Sequence, residues 1–589
     1  MSFADELIRR VEAAKGDTLA QAAVAAESVL EVGPEPERLA LRRAVDGAAL
    51  LHWFDGCLLS QVLGISGKDA DLRYGDLKRL PFVEQYRLPS HELCNVHEAT
   101  RLGWRMHLAK NAPDVFRELS AAASTYFGKD LSIRSKTECV YHLLSADPEA
   151  GATELRTLNE DWIDTAPDGH RALAAVVREL EETGLVQGHA RVWVLLVIAT
   201  NHISRGEMER LEALAREIQE LALETSDPRA EADAYLLLSE ALQAHGDLAD
   251  SEAAVEAALA ICRRWAVMDP QNWGWQRKLV EAQVRNGDVL EARGELDKAL
   301  DALNEALEIA RRLSTLDETN PSRQRGLAVA LNRVGNVLEL QGRLPEAHER
   351  LAEGASVNRR LVEAEPGNSL FQREYATAQM RYGDLLVAQN RLEEGQAALA
   401  IAFDISKRLA EQDPTNSALQ FDLAAAHNRI GNVLEVRGKL SEAQQSFRQY
   451  LAISRHLLAQ EPTNMVWQRE VAVADNRMGA VLQAQGKLTD AERARRQSLE
   501  IVRRLAAANS NATSMHDLGL VARGLARLLA VDGNHKMALL VYEEAARALQ
   551  ASVTGSGTPS AWAQQLVEVE SELEMCRHTL SNNERPDGV

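Results

Sequence analysis

The chain has 589 residues, with 87 acidic against 66 basic side chains and a formal net charge of −21. That length is too great for one hydrophobic core, and the negative balance opposes general affinity for nucleic acid or anionic membrane, leaving only a local basic stripe able to serve either. An aromatic share of 5% beside abundant Ala, Leu, Glu and Arg predicts an all-α protein. Cys57, Cys94, Cys139, Cys262 and Cys576 show no metal-type spacing and read as reduced thiols, which fits a cytoplasmic setting.

Residues 1–38 are expected to form an N-terminal helical segment; Asp5 and Glu6 interrupt its first ten residues, so no signal peptide is expected, and the apolar run 192–199 is too short to cross a bilayer. From 39 to 158 the sequence offers Ala44-Val45-Asp46-Gly47, then Trp53-Phe54-Asp55, a leucine-rich stretch over 58–64, Leu77-Lys78-Arg79-Leu80-Pro81-Phe82-Val83, and Val96-His97-Glu98. This succession resembles the winged-helix segment that follows the nucleotide-binding core in signal-transduction ATPases with numerous domains (STAND proteins). The run 115–127 and the phrase Tyr141 to Pro148 resemble the helices that connect that segment to tetratricopeptide repeats. The resemblance implies a small helical, winged-helix-like regulatory domain in a bacterial signalling or antiphage-defence system.

No GxxxxGK[ST] phosphate loop occurs, since Gly64-Ile65-Ser66-Gly67-Lys68 continues with Asp69 and lacks the spacing. The backbone cradle and the phosphate-binding lysine are therefore missing, so no nucleotide hydrolysis and no cofactor are expected of this chain. The ATPase is then a separate subunit, was lost, or belongs to a larger product of which this is the C-terminal portion. His91, Cys94 and His97 invite a metal or thiol reading, but the histidine spacing is not the i,i+4 pair of HExxH and no fourth ligand is evident. Cys94 with His97 is the dyad an enzyme in residues 1–160 would use; a cysteine on a strand entering a helix is the preferred reading. Arg73, Lys78 and Arg79 flank the helix that would enter a DNA groove, yet Asp69, Asp71, Asp76 and Glu84 surround them, and no nucleic-acid partner is expected.

Residues 159–227 read as an irregular helical repeat-like region, and from 228 to 550 a strict period takes over. Gln276, Gln324, Gln372, Gln420 and Gln468 recur every 48 residues, as do Gly287, Gly335, Gly383, Gly431 and Gly479. Each repeat predicts one helix over about 275–292, a turn at Gly294 and a second helix over about 296–313, closed by a breaker such as Asp269-Pro270 or Asp413-Pro414 with Asn272 or Asn416 placed to cap the next helix. Gly335, Gly342 and Ala347 resemble the small-residue columns of the tetratricopeptide repeat, with Asn390 and Gly395 departing in one repeat. The resemblance implies a right-handed α-solenoid of long-helix repeats preceded by the small winged-helix-like domain. Six units and a degenerate seventh are expected, then a linker over 551–560, a capping helix over 561–580 and a disordered tail over 581–589.

Arg285, Arg333, Arg381, Arg429 and Arg477 form a ladder at one position of five first helices, with Asn332, Asn428 and Asn476 preceding three of them and Asp288, Asn336, Asp384 and Asn432 three residues later. In tetratricopeptide proteins that face lines the inner groove, which implies a protein partner held there through an acidic or extended segment. The alternative is that the arginines pair with Asp288, Asp384 or a Glu of an adjacent repeat. The basic pairs, such as Arg311-Arg312, are expected to complement the dipole at the end of each second helix. The reading is a non-enzymatic recognition and regulatory protein, a sensor or adaptor arm for a separate ATPase or effector; its rivals are an assembly scaffold without switching and an enzyme with its site in residues 1–160.

Overall fold

Helices account for nearly all of the described residues: twenty-six of them, with one two-stranded hairpin, as the composition requires. The structure is a computed structural model, and it describes residues 9–10, 12–31, 34–88, 91–205, 208–508, 512–553 and 560–583. Most of the expected linker and all of the tail beyond 583 lie outside the described residues. The chain divides into an N-terminal body, residues 1–203 with 213–234, and a repeat body, residues 204–212 with 235–589.

In the N-terminal body, α1 (Thr18–Leu30) and α2 (Glu35–Leu50) lead to two short helices, α3 (Gly56–Leu63) and α4 (Gly67–Leu77). Asp55 caps α3 by accepting from the Leu58 N–H at 2.8 Å, Gly64 ends it with a left-handed φ of 64°, and Ser66 caps α4 through the Asp69 N–H at 3.2 Å. The strands β1 (Val83–Leu88) and β2 (His91–Val96) pair antiparallel from Val83 opposite Val96 to Leu88 opposite His91, and Phe54 bridges to Cys94. Then come α5 (Glu98–Asn111), α6 (Pro113–Phe127), α7 (Ile133–Ala146), α8 (Pro148–Thr165) and α9 (Pro167–Glu182), while α10 (Gly188–Arg205), α11 (Met208–Thr225) and α12 (Pro228–His245) have residues in both bodies. Phe54, Leu58, Leu59, Leu77, Cys94, Trp104, Phe116 and Phe127 share one core.

Beside that core lies a knot of charge. Arg101 donates to Glu179 at 2.9 Å, the Tyr141 hydroxyl donates to the same carboxylate, and His52 Nδ1 sits 2.9 Å from Glu138. Arg105 donates to the Leu50 carbonyl at 2.7 Å and to Ser145 Oγ at 3.1 Å, with its guanidinium 4.3 Å above the Tyr141 ring. Burial opposes ionisation of Glu179, yet the hydrogen bonds from His52 and Arg101 outweigh it and hold the carboxyl well below its ordinary range. The knot ties α2, α5, α7 and α9 together.

The repeat body continues with α13 (Leu248–Met268) and five helix pairs: α14 (Trp273–Ala292) with α15 (Leu296–Leu316), α16 (Pro321–Leu340) with α17 (Leu344–Ala364), α18 (Ser369–Ala388) with α19 (Leu392–Gln412), α20 (Ser417–Val436) with α21 (Leu440–Gln460), and α22 (Met465–Ala484) with α23 (Leu488–Ala508). Both members of the pair advance by 48 residues each time, the tetratricopeptide-like pattern with longer helices. Asn272, Asn320, Asn368, Asn416 and Asn464 cap the five first helices through side-chain oxygens. Gly294, Gly342, Gly438 and Gly486 turn between helices with φ between 73° and 79°, and Asn390, at 61°, takes that place in the departing repeat, a residue type that tolerates the left-handed region. A Cβ on Gly287, Gly335, Gly383 or Gly431 would come within 2.5 to 2.7 Å of Leu303, Leu351, Leu399 or Phe447, so the glycine column sets how closely the two helices approach.

The basic pairs do not serve the helix ends as expected. The second helix of each repeat runs on past them, leaving no basic residue in its last turn. Arg312 and Arg408 instead donate to Gln276 and Gln372 at 3.0 and 3.2 Å, and Arg311 reaches Glu353 of the next second helix at 2.7 Å. Gln276, Gln324 and Gln420 in turn donate to carbonyls ten residues upstream, at the end of the preceding second helix, and Gln372 and Gln468 to the Pro366 and Pro462 carbonyls of the breaker, so the column ties each first helix to the turn before it. The seventh pair, α24 (Ala512–Val531) with α25 (His535–Ser552), is followed by α26 (Ser560–Asn583), whose Leu566, Val569, Leu573 and Cys576 complete the core of that end.

Candidate functional site

The arginine ladder occupies the thirteenth residue of each 20-residue first helix from α14 to α22, and α14 meets α16, α18 meets α20 and α22 meets α24 directly. Three rungs reach the first helix before them. Arg429 Nε donates to Asp384 Oδ2 at 2.7 Å, Arg333 Nε forms an ion pair with Asp288 at 3.2 Å without hydrogen-bond geometry, and Arg285 pairs with Glu240. The acceptor stands 45 residues upstream in the hydrogen-bonded rungs, not three residues downstream on the same helix.

The residues 45 positions before Arg381 and Arg477 are Asn336 and Asn432, and neither arginine has an ion pair or hydrogen bond among the described residues. The side-chain oxygens of Asn336 and Asn432 are themselves buried without partners. Burial pulls the Arg381 guanidinium below its ordinary range, and Arg333 and Arg429 on either side add to the shift. Glu291 and Glu339 lie near enough for their fields to reach Arg381; burial pushes both carboxyls up, with Asp288 adding to the first and Asp384 to the second. The asparagines that precede the rungs are placed differently: Asn332 and Asn428 have buried, unpartnered side-chain oxygens, whereas Asn476 accepts from Arg495 at 3.3 Å.

Arg495 is the residue that sequence reasoning missed. It stands where the other repeats carry Leu303, Leu351, Leu399 and Phe447, is 8% exposed, and donates to Asn476 and to Gln483, the latter at 3.1 Å. Gln483 in turn occupies the column of Glu291, Glu339 and Glu435. Burial lowers the Arg495 guanidinium to about 10, Arg527 adds to this and Glu435 opposes it. The break in the leucine column was the available signal. A second arginine column also escaped notice: Arg325 pairs with Glu374 at 2.7 Å, Arg373 with Asp422 and Arg469 with Asp517, each reaching forward to the next first helix.

The chemical readings of the N-terminal body find no geometry. Cys94 is buried, its thiol donates to the Tyr74 hydroxyl at 3.4 Å, and burial pushes it up, while His97 is an exposed residue at the start of α5. Among the described residues no group of three or more His, Cys, Asp or Glu side chains is placed to hold a metal ion, and no helix is long and apolar enough to cross a membrane. Arg73 and Arg79 pair with Asp76, and Lys78 with Glu92 at 2.9 Å.

No protein-family model and no curated protein matches the chain. Among solved structures it is similar to a STAND protein with a tetratricopeptide repeat sensor from Pyrococcus horikoshii, at 11% identity over 82% of this chain and 67% of that one, with a TM-score of 0.48. It is similar as well to a Rap protein complexed with competence and sporulation factor, at 15% identity over 66% of this chain and 99% of that one, TM-score 0.40. A third likeness, at 19% identity over 44% of this chain and 92% of that one with a TM-score of 0.35, is to BtubC (BKLC) from P. vanneervenii.

Proposed function

We propose that the repeat body is a protein-recognition array that grips an acidic, extended segment of a partner through the rungs left without a carboxylate, Arg381 and Arg477. One observation carries this reading: all five first helices keep the arginine, but the receiving position holds an acid for Arg285, Arg333 and Arg429 and an asparagine for the other two. A ladder serving only to join repeats would keep both partners. Arg381 is a part-buried guanidinium without a counter-charge, a desolvation cost that a ligand carboxylate offsets by bidentate hydrogen bonding, and Arg477 is an exposed guanidinium open to the same ligand. Neighbouring helices pack about 10 Å apart, so rungs two repeats apart span about 20 Å, roughly six residues of extended chain.

The N-terminal body is read as the winged-helix-like regulatory part of a STAND-like signalling system. The order α3, α4, β1, β2 and the residue pattern of 44–98 support this, and the pairing of Arg73, Lys78 and Arg79 with their own acids argues for regulation over DNA binding. In affinity capture from source-cell lysate, the Arg381→Ala/Arg477→Ala variant is expected to lose the partner while Arg333→Ala retains it. Capture by the double variant at wild-type affinity would remove the unpaired rungs as the binding site.

A further inference from the structure

We propose that an apolar niche between the N-terminal halves of α14 and α16 and the end of α15 is a second docking point, which takes a leucine-like side chain flanked by carboxylates from a partner's extended segment. It goes beyond the arginine ladder and stands without it: Trp273 opens α14, and Arg285 lies about 18 Å further along that helix.

The niche arises where α16 departs from its counterparts at two positions one turn apart. The third residue of every other first helix in the array is large and apolar, Trp275, Phe371, Leu419 and Trp467, with Trp275 and Phe371 buried; in α16 it is Arg323. The sixth residue is Lys278, Glu374, Asp422 or Glu470 in those helices and Gly326 in α16, where a Cβ would meet nothing within 4 Å. So α16 lacks both the apolar plug and the charged side chain of its counterparts. The floor left behind is Val280, Ala310 and Leu313, with Val280 and Leu313 keeping 7% and 6% of their surface open.

The rim decides what fits. It carries Trp273, 38% exposed, and the guanidiniums of Arg277 and Arg323, the latter 5.6 Å from the centre of the Trp273 ring. No acid lines the niche among the described residues. The charge of Arg323 reaches Asp317, but that carboxylate accepts from the Thr319 hydroxyl at 2.7 Å. One helical turn beyond Leu313 stands Leu316, an exposed apolar side chain where later repeats have Ala364, Gln412 and Gln460. An apolar depression rimmed by arginines, in a chain of net charge −21, is complementary to an apolar side chain beside carboxylates and opposes a basic segment.

The test is fluorine NMR of the full chain labelled with fluorotryptophan, the Trp273 signal being identified by its absence in Trp273→Phe. The probe is the capped tripeptide Glu-Leu-Glu, with capped Glu-Ala-Glu and Lys-Leu-Lys as controls. Glu-Leu-Glu is expected to shift the Trp273 signal saturably at millimolar concentration or below. Both controls should bind at least about fivefold more weakly, a buried leucine or a charge-assisted bond each being worth about that factor or more. Arg323→Leu and Gly326→Glu bring in the residue types of Leu419 and Glu374, fill the niche from within and should each abolish the shift. Because other repeats fold with those residues, thermal unfolding should match or exceed the wild type, and loss of binding is then not loss of fold. An unmoved Trp273 signal overturns the proposal, as does a response to either control equal to that of Glu-Leu-Glu, or a shift that survives both substitutions.

Discussion

The two bodies use charge in opposite ways. In the N-terminal body, Arg101, Arg105, His52, Glu138, Glu179 and Tyr141 converge on one buried point, each with several partners. In the repeat body, the pairs are spread between neighbouring repeats and part-exposed, as in Arg429 and Asp384 at 31% and 41% side-chain exposure. Convergence makes every member indispensable to the fold. Distribution makes each pair marginal, so a rung can lose its acid without unfolding the array and become available to a ligand.

The largest expected effect separates these regimes directly. Glu179→Ala strands Arg101 and should cost about 3–5 kcal/mol in urea unfolding, whereas Asp384→Ala should cost about 1 kcal/mol or less. Equal costs would break the comparison.

A second test uses pH. His170 is 6% exposed with its Nε2 2.8 Å from Asn159, and burial pushes it down to about 4. Its neutral form is the folded one, so the associated stability is complete above the unfolded value near 6.5 and is lost as pH falls toward 4, by at most about 3 kcal/mol. His52 works the other way: burial opposes its charge, but the hydrogen bonds it donates to Glu138 and Glu179 raise it, so its contribution is complete below about 6.5 and fades as pH rises through the folded value. His170→Gln should flatten the acid limb of the stability curve, and an unchanged slope would count against the burial argument.

Smaller effects are expected within α16, with opposite signs. Gly335→Ala puts a Cβ 2.7 Å from the Leu351 side chain and should cost about 1–3 kcal/mol. Gly326→Ala meets nothing within 4 Å in the same helix and should gain about 0.5–1 kcal/mol. Thermal unfolding of the two variants checks both.

The repeats were legible because their signals are local and copied: the Asn caps, the left-handed glycines and the close-approach glycines all act within one helix pair. The ladder was legible as a column and its acids as an alternative, but not which arginine meets which acid. Spacing along one helix points Arg333 at Asn336, and only the packing of successive first helices shows that its acid is Asp288, one repeat earlier. Arg495 could have been found as a break among Leu303, Leu351, Leu399 and Phe447, although nothing local says that Asn476 and Gln483 receive it. The knot around Glu179 was out of reach, since its partners His52, Arg101 and Tyr141 lie far apart in sequence and join only when four helices meet. Cys94 illustrates the converse: nearness to His97 in sequence made no dyad, because the strand turns the thiol toward Tyr74.

The most direct measurement restores the missing acids. Asn336→Asp and Asn432→Asp place carboxylates opposite Arg381 and Arg477 in the register of Asp288 and Asp384, so the double variant should gain about 0.5–1 kcal/mol of stability and lose its captured partner. Partner capture unchanged in a variant with that gain would show that the open rungs are not where recognition occurs.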